Sequence, residues 1–192
     1  MYRRFVFVFV ALAFAVVACK KGGGGDASKY PGTEDGAKQL LTDLRTSSDA
    51  KGMTLALKPS SADYQAVFVG DAAAKAEASY EKLWSDPKAV ISAAPANTEL
   101  LLSKATTDDL QKWTPVAEAD FPGGYKRVAD KYKPGLTVYR WKYTKPGEKL
   151  GMAFDGLIYV NNHWAWFPKP WRVLGGGGGG GGGGGSGSGG GE

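Results

Sequence analysis

One cysteine, Cys19, and one histidine, His163, are all that 192 residues contain of the two side chains that dominate metal and redox chemistry. A single cysteine cannot close a disulfide within the chain, and no zinc or dithiol centre can be built from one thiol and one imidazole. Carboxylates would have to ligate any metal unaided, and they show no ligand spacing, so no metal and no cofactor is expected. Serines are plentiful, but none sits in the glycine-flanked nucleophile turn of a hydrolase. The glycines from Gly22 to Gly25 lead into no phosphate-binding loop. The chain carries 24 basic and 19 acidic residues, a formal charge of +5. The two signs are interspersed, which gives a nucleic-acid partner no basic stripe to read. Long apolar runs are also missing. The longest, Phe5 to Val17, has 13 residues, short of the about 20 that a membrane-spanning helix needs.

What is present at the amino end has a definite order. Arg3 and Arg4 precede that apolar run, and a small residue, Ala18, follows it: the layout of an export leader. The tetrad Val16-Val17-Ala18-Cys19 closes the run and resembles the lipobox of bacterial lipoproteins. The resemblance covers residues 1 to 19. It implies cleavage between Ala18 and Cys19, a diacylglyceryl (typically palmitate-bearing) thioether on the Cys19 sulfur, and acylation of the new amino group. Two or three acyl chains hold a protein to a membrane in effect permanently, whereas one does so marginally. The family rule that a residue other than aspartate after the cysteine permits transport outward makes Lys20 a pointer to the outer membrane in a two-membrane cell. Loss of Arg3 and Arg4 with the leader takes the charge from +5 to +3.

The expected organisation is therefore a signal peptide over 1–18, a lipidated cysteine with a flexible tether over 19–29, a single domain over 30–174, and a glycine- and serine-rich tail over 175–192. The tether sequence KKGGGGDASK behaves as random coil spanning roughly 17 Å. The tail cannot bury apolar surface. The central segment is a normal size for one core.

Within it the first half reads helical and the second as sheet, an α+β segregation. Thr33 can cap a helix with a buried stripe of Ala37, Leu40, Leu41 and Leu44. Met53 to Leu57 is a short apolar segment. Ser60 or Ser61 starts a second helix bearing Tyr64, Val67 and Phe68, and Gly70-Asp71 starts a third that carries Ala76, Tyr80, Leu83 and Trp84 before Pro87. Thr98 to Lys104 reads as a strand, Thr106 to Trp113 as a short capped helix, and Tyr125 to Tyr132 as a helical turn or two. From Leu136 an antiparallel meander follows, with Lys145-Pro146-Gly147-Glu148 and Asn161-Asn162 as its turns.

A four-residue first turn would set Tyr143 opposite Leu150, Trp141 opposite Met152 and Tyr139 opposite Phe154. That face is apolar; the opposite one, with Arg140, Lys142 and Asp155, reads as solvated. The second hairpin sets Tyr159 opposite Trp164 and Leu157 opposite Trp166, on the side where Arg140 and Asp155 point. Either a bulge near Gly156 returns the tryptophans to the core, or the sheet is apolar on both sides there.

Helices followed by a long bent meander are similar in order and proportion to the nuclear-transport-factor-like cone fold, whose curved sheet encloses a pocket. The stretch Phe154 to Asn161 with Trp164 to Arg172 looks like the C-terminal part of uncharacterised predicted bacterial lipoproteins, which carry no activity to transfer. Cone-fold enzymes place an acid or histidine in the pocket, which makes Asp155 the candidate base of an enzymatic alternative. A dyad of Asp155 with His163 is excluded, because His163 pairs with Val160, roughly 16 Å along the strand from Asp155. Catalytic residues are thus expected to be none. The candidate ligand contacts are Tyr159, Trp164 and Trp166, equipped to stack on a wall glycan or grip an apolar ligand, against a core role for the same rings. Trp171 reads as a plug folded back over the sheet. The resulting expectation is an envelope lipoprotein with a non-enzymatic binding or structural role toward an envelope protein, glycan or apolar ligand.

Overall fold

The computed structural model describes residues 29–175. The leader, Cys19, the tether before Lys29 and the tail after Gly175 lie outside the described residues. The architecture is α+β. Helix α1, Glu34–Thr46, begins where the Thr33 side chain accepts the Gly36 N–H, with Glu34 and Asp35 complementing its positive end. Its stripe of Ala37, Leu40, Leu41 and Leu44 is buried. Helix α2, Ala50–Leu55, is capped by Asp49. Helix α3, Ser61–Val67, opens on a reciprocal capping box between Ser60 and Asp63. Gly70 turns the chain at φ +48 into α4, Asp71–Trp84, which buries Ala73, Ala76, Tyr80 and Trp84.

A stretch without regular structure then leads to β1, Glu99–Thr106, and a second capping box, Thr106 with Asp109, starts α5, Thr107–Lys112. Helix α6, Pro115–Asp120, and two 3-10 turns, Tyr125–Arg127 and Ala129–Lys131, precede β2, Thr137–Thr144. Strands β3, Gly151–Val160, and β4, His163–Trp166, and a short helix α7, Pro170–Leu174, complete the fold.

The four strands form one open antiparallel sheet in the order β1-β2-β3-β4. The second hairpin has the expected register. Asn161 and Asn162 take the left-handed conformation that its two-residue turn demands, with Tyr159 opposite Trp164 and Leu157 opposite Trp166. The first hairpin corrects the expected pairing. Tyr143 lies opposite Met152 and Trp141 opposite Phe154, a slip of two residues, because the turn extends to Leu150 and is tied to β1 through the Gly147 N–H and the Glu99 carboxylate. A slip of two keeps every side chain on its expected face.

Between the pairs Tyr139–Leu157 and Arg140–Asp155, Gly156 is an extra residue at φ +87. It is the bulge, and it brings Leu157, Tyr159, Trp164 and Trp166 onto the face of Tyr139, Trp141 and Tyr143. Helix α1 covers this face: the Tyr143 hydroxyl donates to the Leu41 carbonyl at 2.7 Å. The opposite face is covered toward the bulge, which corrects the reading of Arg140 and Asp155, while farther along Lys142 is half-buried and its partner Ala153 exposed. Asp155 and Thr144 are buried, and half-buried Arg140 donates to the Asp120 carbonyl at 2.8 Å. The reason is a cover that apolar periodicity does not announce, since α6 and the 3-10 turns bring Ala117, Phe121, Tyr125 and Val128 into the core beside Ala105, Val138, Ile158 and Ala165. Phe167 joins the layers, meeting the rings of Tyr64, Phe68 and Tyr80.

Candidate functional site

Strand β4 determines where the aromatic candidates point. Trp164 is 5% exposed, packs edge-on against Tyr139 and Tyr159, and donates its indole N–H to the Tyr30 carbonyl at 3.1 Å. Trp166 is 6% exposed, lies between Trp84 and Phe154, and donates to the Asp155 carbonyl at 2.9 Å. Tyr159 is half-buried under Gly32, where the ring fills the space a side chain would need. The structure thus brings Tyr159 and Trp164 into contact beneath the Tyr30 to Gly32 segment and sets Trp166 against a different set of rings. Both indoles have their polar edge occupied inside the domain, so only the outer part of Tyr159 is offered to a ligand.

Asp155 is the carboxylate that the bulge turns inward. One of its oxygens accepts the Tyr125 hydroxyl at 2.9 Å and the Lys169 N–H at 2.8 Å. Burial raises its pKa, opposed by the Lys169 N–H, the Tyr125 hydroxyl and the nearby charges of Lys169 and Arg140. Three tyrosines surround it. Burial first, and the Asp155 charge with it, hold the hydroxyls of Tyr80, Tyr125 and Tyr132 well above their ordinary pKa. Tyr80 donates to the Pro168 carbonyl at 2.9 Å, whereas the Tyr132 hydroxyl has no partner among the described residues. Lys169 reaches Asp155 by adopting φ +48 immediately before α7. Trp171, in that helix, lies over Gly124 and the Tyr125 ring, which closes this side of the cluster.

A second polar junction escaped the sequence reading. His163 does not meet Asp155; its Nε2 lies 3.1 Å from an oxygen of Asp63, and its Nδ1 lies 3.1 Å from the Asn161 carbonyl. Asp63 is fully buried and also accepts the Ser60 N–H, the Ser60 hydroxyl and the Asn161 side-chain amide, each at 2.7 Å. Burial is the largest single influence on its pKa and acts upward. The Ser60 hydroxyl and N–H, the Asn161 amide and His163 together outweigh it and leave the pKa lowered. A helix start at Ser60 or Ser61 was legible locally, and Asp63 completes a capping box with Ser60 there. Its second use, as the latch holding the β3–β4 turn to α3, joins residues 100 apart and has no local signal.

Asp63→Ala should cost about 2–4 kcal/mol at neutral pH, since it unpairs a helix cap and two side chains at once. Because the folded pKa of Asp63 is depressed, its ionised form contributes stability above the ordinary value of 3.8, and that contribution is lost as pH falls through the lower folded value. The gap between the thermal melts of the two proteins should therefore narrow as pH falls below about 3.8.

Both His163 nitrogens face acceptors of the chain, and one oxygen of Asp155 holds two donors. Among the described residues, no group of three or more His, Cys, Asp or Glu side chains could hold a metal ion. A shallow groove of ≈ 430 Å³ opens beside the first turn of α4, between Lys75, Lys131 and Leu174. It carries no carboxylate base apart from Asp71 at its rim. Comparison with protein-family models, with curated proteins and with solved structures found no match, so the site is interpreted from its own residues.

Proposed function

We propose that this chain is a lipoprotein of the bacterial cell envelope, anchored through acyl chains on Cys19, whose α+β domain has a non-enzymatic binding or structural role. The observation that carries the reading is the tetrad Val16-Val17-Ala18-Cys19, in register with Arg3, Arg4 and the apolar run from Phe5 to Val17. The packing supports the non-enzymatic part. The aromatic rings that could grip a substrate, Trp164 and Trp166, hold the sheet to its covering segments, and the inward carboxylate Asp155 fastens α7 and the Tyr125 turn. Among the described residues no helix is long and apolar enough to cross a membrane.

Expressed in a bacterium fed a labelled fatty acid, the protein should carry label and sediment with membranes. Cys19→Ala should lose the label and either accumulate as uncleaved precursor or leave the membrane fraction. Unlabelled wild-type protein, or mature Cys19→Ala protein retained on membranes as well as wild type, would refute the anchor.

A further inference from the structure

The most exposed large apolar side chain among the described residues is at the tip of the first hairpin. Leu150 is 83% exposed and Met152, two residues on, is 47% exposed. Strand β3 has ten residues, yet β4 pairs only with Leu157 to Val160, so Gly151, Met152 and Ala153 project past the end of β4 and are exposed. Lysines flank these residues. Lys145 and Lys149 are exposed, and Lys142 runs along the hairpin to donate to the Lys149 carbonyl at 3.4 Å. Two carboxylates lie among these lysines, Glu148 paired with Lys145 at 3.7 Å and Glu99 accepting the Gly147 N–H at 2.8 Å, so the three lysines leave a net positive charge. Apolar side chains projecting among lysines form the chemical complement of an anionic lipid interface.

The tether meets the domain on the same face of the sheet as Met152. Lys29 pairs with Asp43 at 3.1 Å, and Asp43 also accepts the Tyr30 hydroxyl. Two residues away on α1, the Leu41 carbonyl accepts the Tyr143 hydroxyl, and Tyr143 lies opposite Met152 in the sheet. The chain thus enters on the face of the sheet from which Met152 emerges, but at the end where Gly32 packs on Tyr159 and the Tyr30 carbonyl accepts the Trp164 N–H, seven residues along β3 from Met152. Nine residues separate Cys19 from Lys29.

We propose that the β2–β3 hairpin docks on anionic lipid headgroups, with Leu150 and Met152 entering the interface and Lys145 and Lys149 set against the phosphates. This rests on the anchoring reading, because an acylated Cys19 keeps the hairpin at the membrane surface and lets weak contacts hold the domain in one orientation.

The test uses the full chain carrying Leu150→Cys, expressed with its leader so that acylation leaves the introduced thiol free, labelled there with a polarity-sensitive dye and reconstituted in vesicles. On phosphatidylglycerol-containing vesicles the emission should shift to the blue. On phosphatidylcholine vesicles it should not, and a Lys145→Gln, Lys149→Gln partner variant should lose the shift, with partition weakened about fivefold for each lysine replaced. Flotation with the vesicles reads the anchor separately. A floating protein whose dye responds to neither lipid, or to both equally, overturns the hairpin proposal alone. A protein with an unacylated Cys19 that does not float overturns the anchor, and the hairpin proposal with it.

Discussion

Gly156→Ala should destabilise the domain by about 2–5 kcal/mol, more than any other single-methyl addition to the sheet. Two physical effects act together. Gly156 sits at φ +87, where an L side chain is strained, and a Cβ there would run into the main-chain carbonyl of Phe167, whose N–H donates to the Gly156 carbonyl at 2.8 Å. Neither partner can move cheaply, because Phe167 is wholly buried among Tyr64, Phe68 and Tyr80. The bulge also decides which face every later side chain of β3 occupies. Relief by straightening the strand would drive Leu157 and Tyr159 to the other side and separate Trp164 from Tyr139. Urea denaturation followed by tryptophan fluorescence measures the effect, and a variant within about 0.5 kcal/mol of wild type would show that the bulge is not needed for the fold.

The second large effect concerns the inward carboxylate. Asp155→Ala should cost about 2–5 kcal/mol, since it strands the Tyr125 hydroxyl and the Lys169 N–H in a buried setting. Asp155→Asn keeps an acceptor oxygen in the same place and should be as stable as wild type, or more so, at neutral pH. The sign follows from the raised folded pKa. The stabilisation due to protonated Asp155 is complete below the ordinary value of 3.8 and is lost as pH rises through the raised folded value, because burial disfavours the charge. The asparagine variant removes that charge and its pH dependence together. Equal losses for the two variants would show that the charge, rather than the acceptor, holds α7 and the Tyr125 turn in place.

Local chemistry was the legible part of this chain. Thr33, Ser60, and Thr106 with Asp109 announce helix starts within four residues, and Asn161-Asn162 dictates a tight hairpin because both residues accept positive φ. The bulge at Gly156 was legible only as one of two alternatives, since the tryptophan faces conflict without it. Whatever depends on contact between distant segments was hidden. Nothing near Asp155 in sequence says that Tyr125 and Lys169 will enclose it, and alternation made it look solvated. Nothing near His163 points to Asp63. The length of the first turn was misread because Pro146-Gly147 marks the bend but not where pairing resumes. Helix α6 buries only Ala117, too little apolar signal to reveal that the second face of the sheet is covered. The candidate contacts Trp164 and Trp166 share this cause, since a ring that stacks on a ligand and a ring that fills a core have the same sequence signature.

Cys19 is the residue on which the proposed function depends, and its chemical state can be weighed directly. The measurement is the mass of the amino-terminal peptide from protein extracted out of bacterial membranes. The account predicts a peptide beginning at Cys19, with residues 1–18 absent and the added mass of a diacylglyceryl group on sulfur, with or without a further acyl chain on nitrogen. A peptide with a free Cys19 thiol, or one that begins elsewhere, would contradict it.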